Sequence, residues 1–210
     1  MTDEDQFYLD GTVQKKNCSV WGEENPHFTF EQEGFSPSIT VWCGVSAKEV
    51  HGPFFFEHHG HQVRVTGASY LRLLRDKATP FVDQLNLPRS QVWFQQDGAA
   101  AHTTAAVLSY LEETFPGKVI SRKGSVAWPP RSPDLTLPDF FLWGYLKGKV
   151  YSRPSHSIAA LKKRIRKEVR AIPRSMLRAC NVYACNMIPL RLPECLRRRV
   201  DHLEHVLPRS

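Results

Sequence analysis

The sequence lacks any apolar run of about 18 residues, the least that a membrane-crossing helix needs, and so excludes a helical membrane span. Cysteine is sparse: five residues, at positions 18, 43, 180, 185 and 195, form an odd, scattered set with no C-x-x-C pair. That excludes a disulfide framework and points to free thiols in a reducing compartment. Cys180 and Cys185 are too loosely spaced to suggest zinc by themselves. No internal repeat or low-complexity linker interrupts the chain, and the acidic, polar start MTDED is neither a signal nor a transit peptide. Acidic residues are in deficit, 21 against 28 Lys and Arg, for a net charge of +7. A basic balance suits a polyanionic partner such as nucleic acid, but charge alone does not distinguish this from a basic protein without one.

What is present is enough for a core. The chain has 210 residues, 41% of them apolar and 11% aromatic, which fits one domain or one with a small appendage and argues against disorder. Strand patterns are expected at 5–10, 38–46, 50–57 and 62–66, with the middle two as antiparallel neighbours. Helical spacing runs over 68–84, ending at Asn86 and Pro88, and over 103–115, stopped by Pro116 and Gly117. Between them, 91–96 forms a strand that delivers Asp97, and 118–121 forms another. The stretch 128–138 holds four prolines and reads as a rigid loop. It leads into a buried helix over 139–150, for which Thr136 and Asp139 suggest a capping box. Helices follow at 156–171 and 174–186, split by Pro173, and a basic, then amphipathic tail closes the chain. Strands followed by alternating helices and strands give an α/β layered domain. We divide it into a core over 1–150 and a helical extension over 151–210.

Three carboxylates stand out by context. Asp3 precedes the first strand candidate, Asp97 ends a hydrophobic strand before Gly98, and Asp139 opens an apolar helix. Hard cations such as Mg²⁺ take only one or two protein carboxylates each, so three converging acids suffice for two ions across a phosphodiester. With 21 acidic residues in the chain, such a triple also arises by chance.

Two long segments sharpen the reading. WFQQDGAAAHTT over 93–104 resembles the QQD-G/N-A-x-x-H-T signature of mariner-like DNA transposases. WPPRSPDLTLPDFFLWG over 128–144 resembles the proline-rich S-P-D-L signature of the same superfamily, and TDEDQF at the start resembles its S/T-D-E-x-x-F motif. Segments 21–26, 41–44 and 191–195, with His202, Glu204 and His205, are familial in the same way. The resemblance runs in order along nearly the whole chain.

The resemblance implies an RNase H-like fold, with a mixed central sheet and helices on both faces. It implies a DDE/D site of Asp3, Asp97 and Asp139 holding two Mg²⁺ or Mn²⁺ ions, with 139 − 97 − 1 = 41 residues between the last two acids. Asp134 is a rival third ligand, although an Asp in that turn also serves to bond its own loop. His102 stands near DNA phosphate on the family reading and makes a helix-entry hydrogen bond on the plainer one. The basic run Lys162, Lys163, Arg164, Arg166 and Lys167 and the cluster Arg197 to Arg199 would track DNA phosphates, or form solvated faces; the first would also serve nuclear import. The histidines at 58, 59 and 61 read as a solvated loop tip.

The expected activity is metal-dependent DNA cleavage and strand transfer in the nucleus. The partners would be transposon ends and target DNA, with a homodimer as the assembly. Family members carry a helix-turn-helix region before the catalytic domain; here Asp3 follows only Met1 and Thr2, so that region is expected to be absent. Asp3 is expected in a frayed terminus, and Val200 with Asp201 replaces the family's Gly-Gly. An inactive remnant that binds nucleic acid non-specifically, or binds a partner, is the alternative; a free-standing RNase H-type nuclease is a weaker third.

Overall fold

The structure is a computed structural model describing residues 1–12, 36–85, 87–128 and 136–198, with 187–198 as backbone only. Segment 21–26, Asp134, most of the proline-rich loop, Cys18, Arg199, His202, Glu204 and His205 lie outside the described residues, as do the side chains of 191–195, Arg197 and Arg198.

Three strands form an antiparallel meander: β1 (Thr2–Tyr8), β2 (Ser38–Val45) and β3 (Val50–Phe55). The register pairs Asp3 with Cys43 and Phe7 with Ile39. The β2–β3 register shifts between Trp42 and Gly44, where Gly52 and Pro53 of β3 bulge opposite Cys43. Gly52 has φ +116°, and a Cβ there would lie 3.0 Å from the Trp42 carbonyl oxygen, so only glycine suits the bend. The short hairpin of β4 (Glu57–His58) and β5 (His61–Gln62) turns through His59 and Gly60, both at positive φ, which is the geometry of a two-residue primed turn. It presents the three histidines to solvent, as expected of a loop tip.

A second, parallel ladder runs β6 (Phe94–Gln95), β7 (Val119–Ser121) and β8 (Val126–Ala127). The two ladders meet where the Thr2 hydroxyl donates to the Gln95 carbonyl oxygen at 2.8 Å. β1 and β6 therefore abut through a side chain, without a backbone ladder between them among the described residues.

Alternation along β2 sorts its residues between two cores. Ile39, Val41, Cys43 and Val45 face one core, with Phe7, and Trp42 faces the other. The first core is covered by α4 (Trp143–Val150), α5 (Ile158–Arg170) and α6 (Arg174–Arg198). α5 contributes Leu161, Ile165 and Val169, a four-residue stripe, all buried; each such side chain is worth about 1.5–3 kcal/mol when buried. Ser157 caps it by accepting from the Ala160 N–H at 3.1 Å. The second core is covered by α1 (Gly67–Leu73), α2 (Thr79–Asp83) and α3 (Ala105–Thr114), with Tyr70, Leu74, Val107 and Leu111 inside. Helices on both faces of the sheet region make an α/β architecture.

Several local expectations change. The strand expected over 62–66 is confined to 61–62, because Thr66 already caps α1, accepting from the Ser69 N–H at 3.2 Å. The helix expected over 68–84 is interrupted by a wide π-helical turn at Leu74–Ala78, just before Pro80, a residue with no N–H to continue the regular ladder. A second π turn, Pro138–Leu142, opens the helix that carries Asp139. It has no side-chain capping bond; the Asp139 N–H instead donates to the Thr136 carbonyl oxygen at 3.0 Å. Asp3 is not frayed: it lies within a paired strand and is 8% exposed.

Candidate active site

Strand parity in β1 decides which way its acids face. Asp3, Asp5 and Phe7 share one face; Thr2, Glu4 and Gln6 share the other. The odd face meets α4. Phe7 packs edge-on against Trp143 with ring centroids 6.3 Å apart, and Lys147 pairs with Asp5 at 2.5 Å. On the same face the Trp143 indole N–H donates to Asp3 Oδ2 at 2.7 Å. Asp139 precedes Trp143 by one helical turn, and its charge bears on Asp3. The helix thus lays a donor against one buried carboxylate and brings a second acid within range of its charge.

Asp97 arrives from the other ladder. The Gln96 N–H donates to the Ile120 carbonyl oxygen at 3.0 Å, so Asp97 is the first residue beyond the β6–β7 bonds. Its Oδ1 accepts from the Ala99 N–H at 3.0 Å and from His102 Nδ1–H. The other ring nitrogen of His102 donates to Glu4 Oε1 at 3.1 Å. His102 is 1% exposed and its ring lies 4.1 Å from that of Tyr70. The Tyr70 hydroxyl donates to Gln96 Oε1 at 2.9 Å, and Gln96 Nε2 donates to the His102 carbonyl oxygen at 2.9 Å. β1, β6 and α1 therefore close around one imidazole.

The charges follow from this packing. Burial, then the like charges of Asp139 and Glu4, holds Asp3 well above the usual carboxylate range, against the Trp143 hydrogen bond. Asp139 is exposed, yet desolvation and the charges of Asp97 and Asp5 push its carboxyl up to about 7. Burial works to raise Asp97 as well, but the bond and charge of His102 outweigh it and leave it below its ordinary value. Burial works to lower His102, and Glu4 and Asp97 together carry it to about 10. Both ring nitrogens donate, so His102 is an imidazolium at neutral pH.

The three acids named from the sequence are thus electrostatic neighbours. Asp139 and Asp97 both act on Asp3 through their charge, and Asp97 has Oδ1 committed to His102. Among the described residues, no three His, Cys, Asp or Glu side chains converge as a closed ligand set. The donors are nonetheless all carboxylate oxygens, the type hard divalent cations take, and their mutual repulsion is what a cation would relieve.

Sequence reasoning missed Glu4, Tyr70, Gln96 and Trp143. Parity in TDEDQF could have indicated that Glu4 turns away from Asp3 toward the other element. The basic run divides. Lys162 pairs with Glu57, Arg164 donates to the carbonyl oxygens of Val150 (3.1 Å) and Arg153, and Arg166 lies over the Phe55 ring at 4.7 Å. Lys163 and Lys167 face a cleft.

Neither a family model nor a curated relative matches the sequence. Solved structures do match. The chain is similar to the Mos1 transposase paired-end complex with left transposon end (TM-score 0.65, 18% identity, 94% of this chain and 54% of that one). It is similar to the catalytic domain of Mos1 mariner transposase (TM-score 0.62, 17% identity, 94% and 79%) and to the Mos1 strand transfer complex (TM-score 0.60, 20% identity, 94% and 53%). The chain spans about half the length of the Mos1 chains in those complexes. Its fold is that of the RNase H-like catalytic domain of the Mos1 mariner transposase.

Proposed function

We propose that this chain is the catalytic domain of a mariner-like DNA transposase, cleaving a DNA phosphodiester and joining the freed 3′-hydroxyl to target DNA. The observation that carries the reading is that Asp3, buried under the Trp143 indole, feels the charges of both Asp139 and Asp97, the latter at the end of β6. These are the acids that the DDE/D motif assigns. The likeness to Mos1 chains seen with transposon-end DNA, with Mn and with Mg supports the same reading.

Asp3, Asp97 and Asp139 would hold two Mg²⁺ or Mn²⁺ ions, which when bound activate the attacking oxygen and neutralise the leaving one. The chain's own part is positioning. Trp143 fixes one oxygen of Asp3; His102 and the Ala99 N–H fix one oxygen of Asp97; the π turn carries Asp139. A rigid carboxylate frame is what in-line displacement at phosphorus requires. Transposon ends and target DNA are the proposed partners, a homodimer the proposed assembly and the nucleus the proposed location.

The test is Mn²⁺-dependent nicking of plasmid DNA by the chain and by Asp97→Ala and Asp139→Ala. Both variants should lose cleavage by orders of magnitude while folding normally. Cleavage by Asp97→Ala at the parental rate would refute the assignment.

A second reading is a catalytically silent module that binds nucleic acid or a partner. The absence of a converged three-residue ligand set among the described residues favours it. DNA binding without any Mn²⁺ or Mg²⁺ binding would select it.

A further inference from the structure

Beside the carboxylates the molecule has a second chemically distinct feature. A cleft of about 820 Å³ lies between the end of α4, the following loop and α5; of its seven cations Arg164 and Arg166 are engaged elsewhere, leaving Lys149, Arg153, Lys163, Lys167 and Arg170, with Glu168 as its one acid. All five cations are exposed, and none forms an ion pair among the described residues. Lys163, Lys167 and Arg170 follow one another at helical spacing on one face of α5.

Like charges four residues apart work against a helix. The helix dipoles account for Lys149, Lys167 and Arg170 singly, since each lies in a last turn. They do not account for Lys163 in mid-helix or Arg153 in the loop turning into the same space. The neighbouring cations of the run are spent structurally: Lys162 on Glu57, Arg164 on the carbonyl oxygens of Val150 and Arg153, Arg166 on Phe55. What remains is a concave surface of five cations and one anion, with flexible side chains that reach a run of phosphates.

We infer that this cleft docks the phosphate backbone of duplex DNA at a site separate from the carboxylates. The choice of duplex DNA over other polyanions rests on the proposed function. Ten residues separate Asp139 from Lys149 along the π turn and α4. At 1.5 Å per residue this is about 15 Å, or roughly four to five base pairs of a duplex with about 10 base pairs per 34 Å turn. One bound duplex therefore spans both sites, with the cleft holding the flank while the strand lies at the acids.

The experiment is binding of a fluorescent 30-base-pair duplex by anisotropy, in EDTA, across a salt series. Each neutralised phosphate contributes about 0.9 to the slope of log K against log salt. Lys163→Gln/Lys167→Gln/Arg170→Gln should lower the slope by about 2–3 and weaken binding. Lys149→Gln/Arg153→Gln, on a separate element, should lower it by about 2. Lys48→Gln/Arg64→Gln, outside the cleft, should leave it unchanged. Circular dichroism checks that each variant folds, and either cleft set alone decides the matter. A parental slope in a folded cleft variant overturns the inference, as does loss of single-stranded RNA binding with duplex binding intact. Because binding is read without metal, such a failure leaves the cleavage test of Asp97 and Asp139 untouched.

Discussion

Glu4 and His102 come from opposite halves of the domain, 98 residues apart, and meet at 3.1 Å. The contact makes His102 a brace: Glu4 holds one nitrogen, and the other fixes Asp97 Oδ1. An acid that orients a histidine that orients a ligand is the usual outer layer of a metal site, and its loss typically costs 10–100-fold in affinity or activity. Glu4→Gln should therefore lower Mn²⁺-dependent cleavage by about 10–100-fold and raise the Mn²⁺ concentration needed for half-maximal rate. Glu4→Asp should recover part of it. An unchanged metal requirement in Glu4→Gln would show that the brace does not reach Asp97.

Trp143 carries the matching contact on the other acid. Its N–H is the hydrogen-bond donor to Asp3, and both residues are buried. Trp143→Phe keeps an aromatic ring against Phe7 but strands Asp3 without that donor. Removing a hydrogen bond to a buried acid costs about 1–3 kcal/mol. Urea unfolding should show a loss of that size, with the m-value unchanged. Asp3→Asn/Trp143→Phe should lose less than the two single variants combined, since the two residues share one interaction.

Much of this was legible before the structure. The alternation in SITVWCGV announces a strand with two faces, and β2 does divide its residues between two cores. Asp97 at a strand's end was readable because a hydrophobic run stops there. Glu4 was not, because adjacency to Asp3 does not say which side chain meets which core. The basic run was legible as charge but not as function. Lys162 is removed from the surface role by Glu57, 105 residues away, a pairing no local pattern encodes. The π turns were hidden for a similar reason: Pro80 signals a break in the ladder, but a wider turn and a helix end use the same residue.

His51 gives a pH dependence independent of the carboxylates. It sits in β3 with its ring 4.1 Å from Phe81, and burial lowers it from an ordinary 6.5 to about 4. The folded state thus binds this proton less readily than the unfolded chain. Its contribution is fully present above pH 6.5 and is lost as pH falls through about 4, with an upper limit of about 3 kcal/mol. Stability of the parent should fall more steeply than that of His51→Gln between pH 6.5 and 4, measured as urea midpoints on one buffer series. Parallel curves would mean the ring is not held neutral by its packing.

Metal addition should act on stability because the site concentrates like charge. Asp97 and Asp139 raise the cost of ionising Asp3, Asp97 also raises that of Asp139, and no basic side chain is bonded to Asp3 or Asp139 among the described residues. A cation that binds only the folded chain stabilises it by about 2.7 kcal/mol at a hundred times its Kd. For a domain of this size that corresponds to a rise of about 5–10 °C in Tm. Mn²⁺ at millimolar concentration should produce such a shift for the parent at pH 8. Asp139→Asn should melt higher than the parent in EDTA, because the repulsion is relieved covalently, and should then respond little to Mn²⁺. Calorimetry reads both effects. A parent that ignores Mn²⁺ while Asp139→Asn still melts higher in EDTA would mean that the acids repel without forming a metal seat, which would favour the silent binding module over the enzyme.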